Sequence, residues 1–227
     1  MLALLALAAT LTGCGGARGE QGTATLWVTR DRGAQVVYTG KVPAGLTAMQ
    51  ALDRKLDITT RYGGRFVQSI SGIEGSASRQ RDWFWYVNGI EGSTSAAEYR
   101  LHPGDVEWWD YRHWTAATMS IPVVVGAFPE PFLHGFGGKR PPVAVLPQHE
   151  GLDPLPNLDA LARRFARLLH ASRTPRAGGY VLLIGPTHEP FHATREHRQI
   201  VFEISYPDAQ RLIANPKLAR FHFEGLG

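Results

Sequence analysis

The sequence predicts an α+β fold, a small sheet domain with a helix on one face at residues 23–114, followed by a smaller α/β domain at residues 120–227. Three observations carry it. Runs of β-branched and aromatic residues alternate with turn signals from residue 23 onward. One capped helical segment interrupts those runs near residue 47. After residue 120, strand-like and helix-like segments follow one another.

Residues 23–30 and 35–40 read as a strand pair around the Asp31-Arg32-Gly33 turn, with Trp27, Val28, Val36, Val37 and Tyr38 as β-formers in its arms. Pro43 and Gly45 end this hairpin. Thr47 can cap a short helix with Met49, Leu52 and Leu56 on one face, and Tyr62-Gly63-Gly64 forms the next turn. A third strand is expected at residues 66–70 and a fourth at 82–87, the latter closed by Asn88-Gly89, where both residues tolerate positive φ. Residues 99–101 and 106–111 flank the His102-Pro103-Gly104-Asp105 turn and complete a sheet whose element order is close to a β-grasp. Residues 112–120 are a short connection. Beyond it, strands are expected at 121–127, 143–146, 180–184 and 199–205, with helices at 157–171 and 208–214. The Pro/Gly-rich loop at 128–142 lacks the spacing of a phosphate loop.

Four blocks of the first domain, GLTAMQAL (45–52), VQSISGI (67–73), WFWYVNG (83–89) and YRLHPGDVEWWDY (99–111), resemble the transcobalamin-like C-terminal domain, a family with many bacterial surface proteins of unknown function. The resemblance covers about 70 residues. It implies an extracytoplasmic ligand-binding or surface-display module, with a corrinoid as the specific candidate ligand. In animal cobalamin carriers this domain is one of two jaws, and the helical barrel that forms the other has no counterpart in these 227 residues.

The only cysteine, Cys14, follows an apolar run and precedes a glycine-rich one, and Leu11-Thr12-Gly13-Cys14 resembles a bacterial lipobox. That resemblance implies a lipoprotein signal peptide at 1–13 and a lipidated Cys14 with a flexible tether over 14–22. The apolar run is too short to span a bilayer, and the glycines that follow it would break a buried helix. No Lys or Arg precedes Arg18, so the positive n-region is expected upstream of Met1. The expected location is therefore the extracytoplasmic face of the cell membrane, with the membrane as partner through the anchor and a transporter or envelope protein as a further candidate.

Composition narrows the chemistry. A hydrophobic content of 44% with 19% charged residues describes an ordinary globular body. With the sole thiol assigned to the anchor, neither disulfides nor cysteine catalysis remain. The formal charge of +4 comes without a dense basic block, and nucleic acid is not expected as a partner. Arg163, Arg164 and Arg167 fall on the polar side of the helix whose buried stripe is Leu158, Leu161, Phe165, Leu168 and Leu169.

The candidate ligand-binding residues are aromatic: Trp83, Trp85, Tyr86, Trp108, Trp109, Tyr111 and Trp114. Rings occur at successive positions of two strands, so both faces carry them. One face must pack on the helix, and the other either packs on the second domain or meets a flat ligand such as a corrin, a sugar or a peptide. Trp85, Trp109 and Trp114 are the candidates for an exposed platform. No catalytic residue is assigned, and the carboxylates Glu107 and Asp110 flank tryptophans without an evident cleft.

One enzymatic alternative remains. His188-Glu189-Pro190-Phe191-His192 satisfies H-E-x-x-H, which on a helix sets two histidines toward zinc with Glu189 as general base; His134, His149, Glu196 and His197 are further candidate ligands. The helix forms only if Thr187 caps it and Pro190 lies in its first turn, and a loop with solvated histidines is the bland reading. A structural or adhesive surface role is the third reading. The expectation is a non-catalytic binding protein, with zinc entering only under the hydrolase alternative.

Overall fold

A computed structural model describes residues 22–149 and 155–227; Cys14 and the proposed signal lie outside the described residues. In chain order the first half forms β1 (Thr23–Arg30), β2 (Gln35–Pro43), α1 (Ala48–Asp53), β3 (Ile58–Arg61), β4 (Phe66–Ile70), β5 (Ile73–Glu74), β6 (Arg81–Val87), β7 (Ile90–Glu91) and β8 (Val106–His113). Five of these strands form one sheet in the order β2-β1-β8-β6-β7, and β3-β4-β5 form a second, smaller one. β8 runs parallel to β1 and antiparallel to β6, so the last strand of this half lies in the middle of its sheet.

Local chemistry explains the joints. Asp31, Arg32 and Gly33 all take positive φ between β1 and β2, and the Arg32 and Gly33 amides each donate to the Asp110 carboxylate at 3.0 Å. Thr47 and Gln50 make a reciprocal capping box on α1, the Thr47 hydroxyl accepting from the Gln50 amide at 3.2 Å and the Gln50 side chain from the Thr47 amide at 3.0 Å. Such a cap stabilises the fold by about 1 kcal/mol. It sets Ala48, Met49, Ala51 and Leu52 against the sheet.

The second half forms β9 (Val143–Pro147), α2 (Leu158–Leu168), β10 (Tyr180–Gly185), β11 (His192–Glu196), β12 (Gln199–Ser205) and α3 (Tyr206–Ala214). Its sheet has the order β11-β12-β10-β9, with β9, β10 and β12 parallel and β11 antiparallel on the edge. Phe128, Phe132, Phe165, Phe191 and Phe202 fill its core. Among the described residues no helix is long and apolar enough to cross a membrane.

Two expected strands are absent. Residues 99–101 have only an isolated bridge between Arg100 and Thr47, because their backbone serves the entry to α1: Ala48 donates to the Tyr99 carbonyl, Gly45 to that of Leu101, and Leu101 to that of Leu46. Residues 121–127 form no strand either. Val123, Val124 and Val125 are buried, but their stretch crosses between the two halves and makes scattered bonds: Val124 to the Gly89 carbonyl, Val125 to that of Phe223, and a bridge from Val123 to Ile90. Apolar β-branched residues here signal burial rather than sheet pairing.

Candidate functional site

Alternation along β6 and β8 sorts the aromatic residues onto two faces. Tyr86 and Trp108 point to the rear, where both are fully buried. There Trp108 meets Trp27, Tyr86 and Phe223 at ring-centroid distances of 5.9, 5.9 and 5.2 Å. The Trp108 indole donates to the Thr29 hydroxyl at 2.7 Å, and that hydroxyl donates on to Asp110 at 2.6 Å. Arg112 lies 3.6 Å over the Phe84 ring and donates to the Thr118 carbonyl at 2.6 Å. Phe221 and Phe223, from the end of the chain, complete the cover. The rear face is thus the joint between the two halves. Tyr86 and Trp108, expected as ligand contacts, are core residues, because the returning C-terminal segment seals them.

Trp83, Trp85, Trp109 and Tyr111 point to the front, the side that carries α1. Here the cover is incomplete. A cleft of about 470 Å³ opens beside the helix, with Trp83, Trp85 and Trp109 on its inner wall and Tyr62, Arg65 and Phe66 of the β3–β4 hairpin on its rim. Trp85 is partly exposed and stacks on Trp109, with centroids 6.1 Å apart and planes 25° from parallel. Gly92 makes this arrangement possible, since a Cβ at that position would lie 2.1 Å from the Trp85 ring. Trp83 is held by its indole, which donates to the Ile73 carbonyl at 2.9 Å, and Tyr111 by its hydroxyl, which donates to the Glu74 carbonyl at 3.0 Å. Those two bonds fasten the small sheet to the large one and so fix the cleft's width.

The expected platform is corrected in two places. Trp109 is 2% exposed and forms the back wall of the cleft rather than a surface. Trp114 follows β8, where its amide donates to the Gln80 carbonyl at 2.8 Å, and does not line the cleft. Tyr111 supports Trp83 from behind, their ring centroids 5.2 Å apart, and does not reach the opening. The rim residues carry the exposure instead: Tyr62 is 78% and Phe66 38% exposed, and their rings meet edge to face. These two rings extend the apolar wall of the cleft out to solvent. The Tyr62-Gly63-Gly64 turn is the sequence signal that places Tyr62 there.

Glu107 and Asp110 face opposite sides of β8 and form no acid–base pair. Glu107 is fully buried on the front side; one oxygen accepts from the Trp109 indole at 2.6 Å and the other has no partner among the described residues. Burial raises its carboxyl well above the ordinary range, with the Trp109 bond opposing that shift and nearby Asp105 adding to it. Burial also raises Asp110, against the bonds from Thr29, Gly33 and Arg32.

The H-E-x-x-H motif does not fold as a helix. Residues 186–191 are a loop between β10 and β11, His188 and Glu189 are exposed, and His192 begins β11 with its ring nitrogen 2.9 Å from the Pro190 carbonyl. The spacing that would bring both imidazoles to one helical face is lost: His188 lies in the loop and His192 in β11, and the residues before Pro186 and Pro190 are disfavoured in helical backbone. Among the described residues no three His, Cys, Asp or Glu side chains converge as a metal set.

The aromatic cleft falls within the region that matches a known family. Residues 45–113 match the family described as Domain of unknown function (DUF4430). No curated protein matches the chain. Among solved structures, the chain is similar to one from Ruminococcus gnavus ATCC 29149, provisionally described as a metal binding protein. The similarity has 16% identity and a TM-score of 0.35, over 42% of this chain and 100% of that one.

Proposed function

We propose that this chain is a non-catalytic binding protein that takes a small flat or apolar molecule in the front cleft, on a transcobalamin-like, β-grasp-type domain held at the extracytoplasmic face of the membrane through Cys14. The observation that carries the reading is the cleft itself: three tryptophans on its wall, two exposed rings at its mouth, and a volume of about 470 Å³. That volume suits a drug-sized ligand, and stacking on Trp85 would favour a sugar ring or a planar heterocycle. The sheet order β2-β1-β8-β6-β7 with a parallel central pair supports the β-grasp resemblance. A corrinoid would overfill the cleft and would need a second jaw from a membrane or envelope partner.

Calorimetric titration of the full chain with glycans, haem and cobalamin, repeated on Trp85→Ala, tests this reading. Saturable binding of one of these that falls at least about tenfold in the variant supports it. Binding that Trp85→Ala leaves unchanged overturns the cleft as the site. No binding by any of the three overturns the ligand class and favours surface display.

A further inference from the structure

We infer that a second cleft, at the junction of the two halves, is a binding site for a phosphate group. This cleft, of about 500 Å³, lies between the β11–β12 tip and the loop around residues 136–141. Four cations line it, Lys139, Arg140, Arg195 and Arg198, against the single carboxylate of Glu91. The lining is thus strongly positive in a chain whose 24 Lys and Arg are otherwise nearly balanced by 20 Asp and Glu.

The fold sets these groups in place. β11 and β12 join through a tight turn at His197, which takes positive φ, and Arg195 lies opposite Ile200. Alternation along β11 then directs Arg195 into the cleft, while Glu196 lies outside its lining. Across the opening, Gly137 and Gly138 both take positive φ in a two-residue turn closed by mutual backbone bonds between Phe136 and Lys139. Arg140 is fixed by three carbonyls, Phe132 at 2.7 Å, Leu169 at 2.7 Å and His170 at 3.0 Å, which orient its guanidinium without neutralising it.

Among the described residues no carboxylate neutralises these cations. Lys139, Arg140, Arg195 and Arg198 take part in no ion pair among the described residues. Glu91 is engaged on its far side, accepting from the Ser120 hydroxyl and lying 3.9 Å from Arg112. Tyr180 lines the floor, and burial pushes its phenol up to about 12, so it stays protonated and offers an O–H to an anion. Like charges gathered in a concave wall focus a positive potential, and guanidinium forks fit the tetrahedral oxygens of phosphate. A free phosphate and a lipid headgroup present the same oxygens to this cleft.

The test uses the full chain carrying Cys14→Ser, so that no acyl anchor contributes, titrated calorimetrically with inorganic pyrophosphate. Expected is saturable binding that weakens with added salt and falls at least about tenfold in Arg195→Glu/Arg198→Glu. The same charge change on the exposed side of α2, Arg163→Glu/Arg164→Glu, should alter it less than about twofold. Equal loss in both pairs would overturn the site, since net charge alone would then explain it. Sedimentation with phosphatidylcholine vesicles containing phosphatidylglycerol separates the sources: capture that pyrophosphate competes away supports a headgroup, and pyrophosphate binding without capture supports a free phosphate. Neither capture nor pyrophosphate binding, or capture that survives Arg195→Glu/Arg198→Glu, would overturn the inference. The cleft shares only Glu91 with the aromatic one, and Trp85, Arg195 and Arg198 each line one cleft alone, so loss of binding through Trp85→Ala and through Arg195→Glu/Arg198→Glu are separate results.

Discussion

Trp108 and Trp109 are neighbours on one strand and differ in what lies across from them. Trp108 faces the C-terminal Phe221 and Phe223 and is sealed; Trp109 faces α1 and the β3–β4 hairpin, which leave a cleft in front of it. The same residue type in the same strand is mortar on one side and cavity wall on the other. Ring chemistry does not separate the two roles; the completeness of the cover does. Substitutions on the two faces should therefore separate stability from binding.

The largest expected effect is on the rear. Trp108→Ala removes a fully buried ring together with its bond to Thr29 and should cost about 3–5 kcal/mol in denaturant unfolding. Trp85→Ala, on the front, should cost only about 1–2 kcal/mol while removing ligand binding. If the two losses of stability are equal, the front face is as closed as the rear.

The next effect lies in pH. Glu107, Asp110, Glu130 and Asp82 are all raised in the folded chain, chiefly by burial. The unfolded chain releases these protons first, near the ordinary carboxylate values. The stability these groups contribute is therefore full below about pH 4 and is lost as pH rises through their folded values. Glu107→Gln cannot ionise, so its melting temperature should fall less than that of the native chain between acid and neutral pH. An unchanged slope would mean that Glu107 is not buried as a neutral acid.

Smaller effects sharpen the picture. Gly92→Ala should weaken ligand binding and cost some stability, because its Cβ displaces the Trp85 ring from its stack on Trp109. Thr47→Ala breaks the capping box and should cost about 1 kcal/mol, read as a shift in the denaturation midpoint, with ligand affinity unchanged.

Much of this fold is legible in the sequence where one residue type admits one local geometry. The Asp31-Arg32-Gly33 turn, the Thr47 cap, the Asn88-Gly89 hairpin and the α2 stripe all fall where propensity and periodicity place them. β3 was not legible because Thr59, Thr60 and Arg61 are exposed and give no alternation. Residues 121–127 misled because packing between two cores selects the same valines as a buried strand. The site was half legible. The tryptophans announce themselves, but the chain's last residues decide which of them stay open, and no local pattern on β6 or β8 records that. Tyr62, Arg65 and Phe66 join the cleft only through the pairing of the small sheet with its neighbour.

The contrast between the faces can be read in a single spectrum. Fluorine NMR of the full chain labelled with 5-fluorotryptophan, with signals assigned by single Trp→Phe variants, would follow all 6 tryptophans as the ligand found by calorimetry is added. The account predicts that the Trp83, Trp85 and Trp109 signals move while those of Trp27 and Trp108 hold still. Movement of Trp27 and Trp108 without the other three would contradict it.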